Sequence, residues 1–217
     1  MGKSFSYSDV IYLAKGALVT IELFILSACF GMIIGFVFGI MRSNHRVAVI
    51  RWIAATYIEI FRATPLLVMI LIIFFGLPFI GIDINRFWAA VTALTLYASA
   101  YLGEIFRAGI QSIRKEQWEA GASLGMNYRK IIRYVIFPQT IKVITPSIIG
   151  FFMGLIKGTA LVSVIGALDL MLAARRVAQR TFLPLLVMGI AAMMYFAICF
   201  PLDRLGSRIE QNREKPL

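Results

Sequence analysis

The chain has 217 residues, 60% of them hydrophobic and only 15% charged, with a mean hydropathy of +0.83. That composition excludes an ordinary water-soluble domain and is typical of a membrane protein. The formal net charge of +11 does not point to nucleic acid, because the basic residues cluster at the ends of apolar runs, where they set membrane orientation.

Residues 1–15 mix Tyr7, Asp9, Tyr12 and Lys15 at irregular spacing, which predicts a short interfacial helix. The apolar run that follows is longer than the core of a cleavable signal sequence and reads as a first transmembrane helix over about 16–41. Gly31, Gly35 and Gly39 recur at every fourth residue on one face, a stripe that lets another helix approach closely, although glycine is also simply common in membrane helices. Arg42, His45, Arg46 and Arg51 then mark a water-exposed loop. His45, the only histidine, has no neighbouring carboxylate or cysteine and is not a catalytic candidate. Cys29 and Cys199 lie inside apolar runs without metal-like spacing and read as filler.

Between Arg46 and Arg62 the chain is amphipathic. Thr64 and Pro65 then form an N-cap and N1 pair, which predicts a break near Ala63 and a second span over about 64–80, closed by Gly76, Pro78 and Gly81. A third span over about 87–107 carries Glu104 and Arg107 near its far end. The fourth, about 134–157, holds Pro138 and Pro146, each lacking a backbone donor, so it is predicted to enter at an angle and kink. In 169–180, Leu170, Ala173, Ala174 and Val177 fall on one side and Arg175, Arg176, Gln179 and Arg180 on the other, an amphipathic helix suited to capping the outer face. A fifth span over about 182–203 precedes a polar tail. The expected fold is therefore a single all-α integral membrane domain, residues 1–217, with five transmembrane helices.

Orientation follows from the basic residues. With the amino terminus outside, the inner loops 42–51, 107–133 and 204–215 hold 13 of the 22 Lys and Arg, against six in the outer segments. That excess places the polar insertion after the third span in the cytoplasm. Ionisable residues within or beside the spans are costly at mid-bilayer and are expected to face protein, water or the interface. Glu59 with Arg62 and Glu104 with Arg107 are each three apart and could pair on one helix face, either as structural ion pairs at the inner boundary or as part of a gate or solute path.

The insertion reads EAGASLGMNYRKIIRYVIFP over 119–138. Gly125 suits a left-handed helix C-cap and Asn127 an N-cap, so a helix-turn-helix elbow over about 114–130 is predicted. Its pattern resembles the EAA loop of bacterial ATP-binding cassette import permeases: Glu-Ala-Ala, three residues, Gly, nine residues, an aliphatic, one residue, Leu-Pro. Glu119, Ala120, Gly121, Gly125, Val135, Phe137 and Pro138 keep that spacing, with Gly121, Val135 and Phe137 as substitutions of similar character. Two further segments are similar to those of polar amino acid permeases. Residues 59–68, EIFRATPLLV, resemble Glu-x-x-Arg-Gly-Thr-Pro-Leu-Leu-Val, and 155–161, LIKGTAL, resemble Leu-Lys-x-Thr-Ser-Leu. Ala100, Tyr101, Glu104, Arg107, Gly109 and Ile110 match the family's third-span pattern. The likeness covers about 20–201.

The resemblance implies a type I importer fold in the bacterial plasma (inner) membrane, and an elbow that acts as a coupling helix in a groove of a separate ATPase dimer. It implies no cofactor in this chain, with ATP and magnesium on that partner, and further partners in a second permease subunit, identical or not, an extracytoplasmic solute-binding protein and membrane lipid. Trp118, Glu119, Ala120, Gly121, Leu124, Gly125 and Arg129 are the coupling candidates. Trp118, Ala122 and Leu124 would supply an apolar face, and Glu119 and Arg129 its register. Glu59, Thr64, Lys157 and Thr159 are the solute-path candidates, at the break and the kinked span, because unwound backbone in a membrane is tolerated where it lines a cavity. Met69 stands where the family often has Gln, and Gly158 where it often has Asp, Glu or Asn. Either the substrate is less basic, or this chain is the half of a heterodimer that contributes little to ligand contacts; Gly158 also permits an unwound turn. No phosphate-cradling glycine-lysine-serine segment is present. An intramembrane enzyme, built on a pair such as Glu59 and Lys157, and a proton-coupled carrier are the alternatives; five spans give little wall for a monomeric carrier, and the elbow would have no task in one.

Overall fold

A computed structural model describes residues 5–43 and 47–214, with side chains through residue 208. His45 and Arg46 lie outside the described residues. The described residues fold into helices joined by short loops, with no strand among them: α1 (Tyr7–Arg42), α2 (Ala48–Ala63), α3 (Leu66–Leu71), α4 (Arg86–Gln111), α5 (Lys115–Ser123), α6 (Tyr128–Ile131), α7 (Phe137–Gly158), α8 (Leu170–Thr181) and α9 (Pro184–Glu214). Four stretches are long and apolar enough to cross a membrane, Tyr7–Arg42, Arg86–Gln111, Tyr128–Ile165 and Pro184–Arg208; the bent pair Ala48–Ala63 and Leu66–Ile80 makes a fifth if it counts as one span.

Four boundaries differ from the sequence reading. No separate interfacial helix precedes the first span, because α1 begins at Tyr7. A reciprocal capping box between Ser6 and Asp9 starts it, and Arg180 pairs with Asp9 from α8, so the polar residues of its first turns are satisfied without leaving the helix. The predicted break after Ala63 is present as a 100° bend. Thr64, however, does not cap the next helix: its hydroxyl donates to the Ile60 carbonyl at 2.8 Å and closes α2, while the Pro65 carbonyl accepts from Met69. The predicted kink in the fourth span takes the form of a π turn, Ile132–Ile136, that joins α6 to α7. A second π turn, Ile72–Gly76, extends α3. Both end two residues before a proline, Pro138 and Pro78, where a missing N–H and a ring clash disfavour a regular turn. Finally, the expected polar tail is helical to Glu214 as the end of α9.

Packing centres on α4, a helix dense in small residues. Ala89, Ala90, Ala93, Leu94, Ala98, Leu102 and Phe106 are buried there against α1, α3 and α7. The glycine stripe of α1 is its counterpart: a Cβ at Gly31 would lie 2.6 Å from the Ala98 Cβ, and one at Gly39 2.6 Å from the Phe106 Cβ. In a bilayer, apolar surface alone does not drive helices together, so this backbone proximity supplies the dispersion contact that does. A second cluster, formed by Leu13 and Ala17 of α1 with Leu170, Ala173 and Val177 of α8 and Val187 of α9, closes the end of the molecule remote from Arg42.

Candidate functional sites

The elbow is built by its own sequence. Gly125 has φ +71, and the chain closes in a Schellman arrangement, with Met126 N–H donating to Gly121 at 3.1 Å and Gly125 N–H to Ala122 at 2.9 Å. The Asn127 side chain accepts from Lys130 N–H at 3.0 Å and opens α6. Gly121 is buried because Ile131 sits where a Cβ would go, 2.9 Å away. Trp118 stacks on Tyr128 at 5.8 Å and 23°, so its ring braces α5 against α6. Leu124 is 80% exposed, and Ala120, Ala122 and Arg129 are exposed beside it. Glu119 is engaged by Lys115 at 3.1 Å. The elbow thus presents an exposed apolar tip on a self-capped hairpin.

Next to it lies an ionic network that ties α1, α2 and α4 together. Glu104 receives Arg107 at 2.6 Å, Arg42 at 3.3 Å and Arg62 at 3.6 Å, and Arg42 also reaches Glu59 at 2.7 Å. The Glu104–Arg107 pair is as the spacing predicts. Glu59 does not pair with Arg62 on its own helix; it faces Arg42 of α1, and Arg62 turns to Glu104 and stacks over the Tyr101 ring at 5.4 Å. Arg42 carries no local signal of this bridging role, because its partners come from two other helices. Nearby, Tyr57 donates to Ser99 at 2.6 Å, and Ser99 donates to the Leu96 carbonyl.

The four solute-path candidates divide into two places. Glu59 belongs to the ionic network. Thr64 sits at the bend, and Leu66, two residues on, reaches the Lys157–Thr159 turn, its methyl 3.2 Å from where a Cβ at Gly158 would lie. Thr159 is fully buried and its hydroxyl donates to the Ile156 carbonyl at 2.7 Å. Lys157 is exposed, forms no salt bridge among the described residues, and lines an open cavity of about 620 Å³ with Met153, Met171, Tyr195, Cys199 and Asp203. The cavity wall therefore carries one ammonium, one carboxylate and one phenol hydroxyl among apolar side chains, and the ammonium can receive a carboxylate.

One residue at this end escaped the sequence reading. Asp169 is fully buried and caps α8, accepting from Leu172 N–H at 2.8 Å and Met171 N–H at 3.1 Å, with the Tyr195 hydroxyl at 3.4 Å. Burial pushes its carboxyl up to about 6 despite those hydrogen bonds. An Asp directly before an amphipathic run is the N-cap signal that could have found it.

Comparison with known proteins agrees with this architecture. The chain is 36% identical over 206 residues to the arginine transport system permease protein ArtQ of Bacillus subtilis (strain 168), covering 94% of this chain and 93% of that one. It is 38% identical over 204 residues to the L-cystine transport system permease protein TcyB of the same organism, covering 94% and 87%. Among solved structures, an amino acid ABC transporter crystallised with histidines superposes with a TM-score of 0.86 at 35% identity, covering 97% of this chain and all of the other. The MetNI methionine ABC transporter in an inward-facing conformation shares the fold at a TM-score of 0.81 and 20% identity. Residues 31–215 match the profile of binding-protein-dependent transport system inner membrane components, and the chain belongs to that family.

Proposed function

We propose that this chain is the membrane-spanning subunit of an ATP-driven importer that carries a polar amino acid or close analogue across the bacterial inner membrane. The single observation that supports it best is the pairing of a self-capped elbow with an exposed apolar tip, Leu124, on a chain more than one third identical to amino acid permeases. ATP and magnesium belong to a separate ATPase dimer, because this chain has no phosphate-cradling segment. An extracytoplasmic binding protein delivers the solute, and a second permease chain completes the path. The elbow seats in the ATPase and passes its closure to the fourth span, since α6 continues through the π turn into α7 without an intervening loop.

Lys157 is the residue assigned to the substrate carboxylate. Gly158 adds no carboxylate or amide beside Lys157, and Asp203 is the only carboxylate among the described lining residues; once the substrate's α-ammonium takes it, no acid is left for a guanidinium, which favours a substrate with a neutral or small side chain. The test is uptake of radiolabelled amino acids into proteoliposomes holding this chain, its ATPase and its binding protein. ATP-dependent accumulation of at least one polar amino acid, with a KM raised by Lys157→Gln, supports the reading. Accumulation without ATP, or hydrolysis of a substrate by the chain alone, refutes it.

A further inference from the structure

We infer that the face of α2 next to the ionic network is a binding site for the phosphate headgroup of an anionic membrane phospholipid. A cavity of about 630 Å³ opens there, lined by Arg42, Arg51, Arg107, Gln111 and Trp52. Three guanidinium groups, Arg42, Arg51 and Arg107, line it with no carboxylate among the described lining residues; Glu59 and Glu104, which pair with Arg42 and Arg107, lie in the adjoining network, where Glu104 also holds Arg62. Arg51 is exposed and forms no salt bridge among the described residues. The cavity therefore presents a positive charge, Arg51, that no carboxylate compensates among the described residues, beside the Arg42 and Arg107 guanidinium groups, and a phosphodiester is the anion that guanidinium forks recognise best.

The surroundings identify which phosphate. On the same helix Trp52 is 70% exposed and Val49 66%, with Ile53 beside them. Val49 and Trp52 share the cavity wall with Arg51; a helix that sets a basic residue beside exposed Trp and aliphatic side chains is the arrangement of an interfacial helix, and α2 is bent 100° from the segment after it. A free phosphate has no use for that apolar strip, whereas acyl chains cover it. Basic pockets between membrane helices at the charged leaflet bind such headgroups. The inference rests on α2 lying at the membrane surface and is independent of the transported substrate.

The test uses the full chain with its ATPase partner, purified in detergent and supplied with phosphatidylglycerol or phosphatidylcholine of the same acyl chains. Retained lipid is counted by native mass spectrometry. Phosphatidylglycerol should be held at least fivefold over phosphatidylcholine, Arg51→Gln should reduce its retention about fivefold, the effect of one basic residue at an anionic surface, and Arg51→Lys, which keeps the charge but not the fork, should lose less than Arg51→Gln. Equal retention of the two lipids overturns the proposal, as does an unchanged Arg51→Gln variant. Displacement by millimolar inorganic phosphate would make the ligand a soluble anion, and dissociation of the permease pair by Arg51→Gln with lipid retention unchanged would make the face a subunit contact; either result overturns it too.

Discussion

Gly125 gives the sharpest test of the elbow. Its φ of +71 lies in the left-handed region, and a Cβ added there would meet no atom within 4 Å. Any penalty for substitution is therefore that of the backbone alone, and neighbour clashes contribute nothing. Holding an L-residue in that region costs roughly 1–2 kcal/mol, least for Asn and most for a β-branched side chain. At about 2 kcal/mol the ratio of capped to uncapped elbow falls about 30-fold. The two hydrogen bonds from Gly125 and Met126 back into α5 go with it, and Leu124 loses its fixed direction. Transport per ATP hydrolysed, measured in proteoliposomes with the partner ATPase at matched protein levels, should fall in the order Gly, Asn, Ala, Val, while hydrolysis itself persists. If Gly125→Val transports with wild-type stoichiometry, or if Asn is as damaging as Val, the left-handed cap is not what couples the two.

Gly35→Ala would place a Cβ 2.8 Å from the Ser99 carbonyl oxygen and 2.9 Å from the Leu102 Cβ, and overpacking of this kind costs about 1–3 kcal/mol. Its thermal midpoint in detergent should drop well below that of Gly154→Ala, which meets nothing within 4 Å and should be neutral or slightly stabilising. Glu104→Gln leaves Arg42, Arg62 and Arg107 with one carboxylate between them; the site is partly exposed, so a loss of about 1–3 kcal/mol, rather than the 3–5 of a fully buried pair, is expected in the same assay. Asp169 gives a pH effect of unusual sign. Its carboxyl is raised from 3.8 to about 6 in the folded protein, so the folded state holds the proton more tightly, and stability should decline as pH rises from about 4 to about 6, by at most about 3 kcal/mol. Asp169→Asn keeps the cap and should abolish that slope in a pH series of melting curves, whereas Asp169→Ala should be destabilised at every pH.

The features legible in the sequence are those fixed by short-range chemistry. Gly125 and Asn127 specify the elbow because a left-handed cap and a side-chain cap are decided within three or four residues. The break near Ala63 follows from Thr64 and Pro65, although the hydroxyl serves the helix before it, a choice between two carbonyl and amide partners that composition does not make. The alternation of Leu170, Ala173 and Val177 with Arg175, Arg176 and Arg180 sets the buried and exposed sides of α8 by helical spacing alone. Helix count and class follow in the same way from runs of apolar residues long enough for a bilayer.

Tertiary structure alone decided who meets whom. Nothing local to Arg42 tells it to bridge Glu59 and Glu104, since an ion pair between helices depends on how far each helix is rotated about its axis, and that rotation is set by the small residues where α1 meets α4. The same seam made α4 the centre of the molecule and let α1 run on past Lys15 to reach Asp9's partner on α8. Sequence chose the segments and their caps through contacts a few residues long; the close approach of glycine and alanine backbones chose the neighbours, because in an apolar solvent only shape distinguishes one greasy helix face from another.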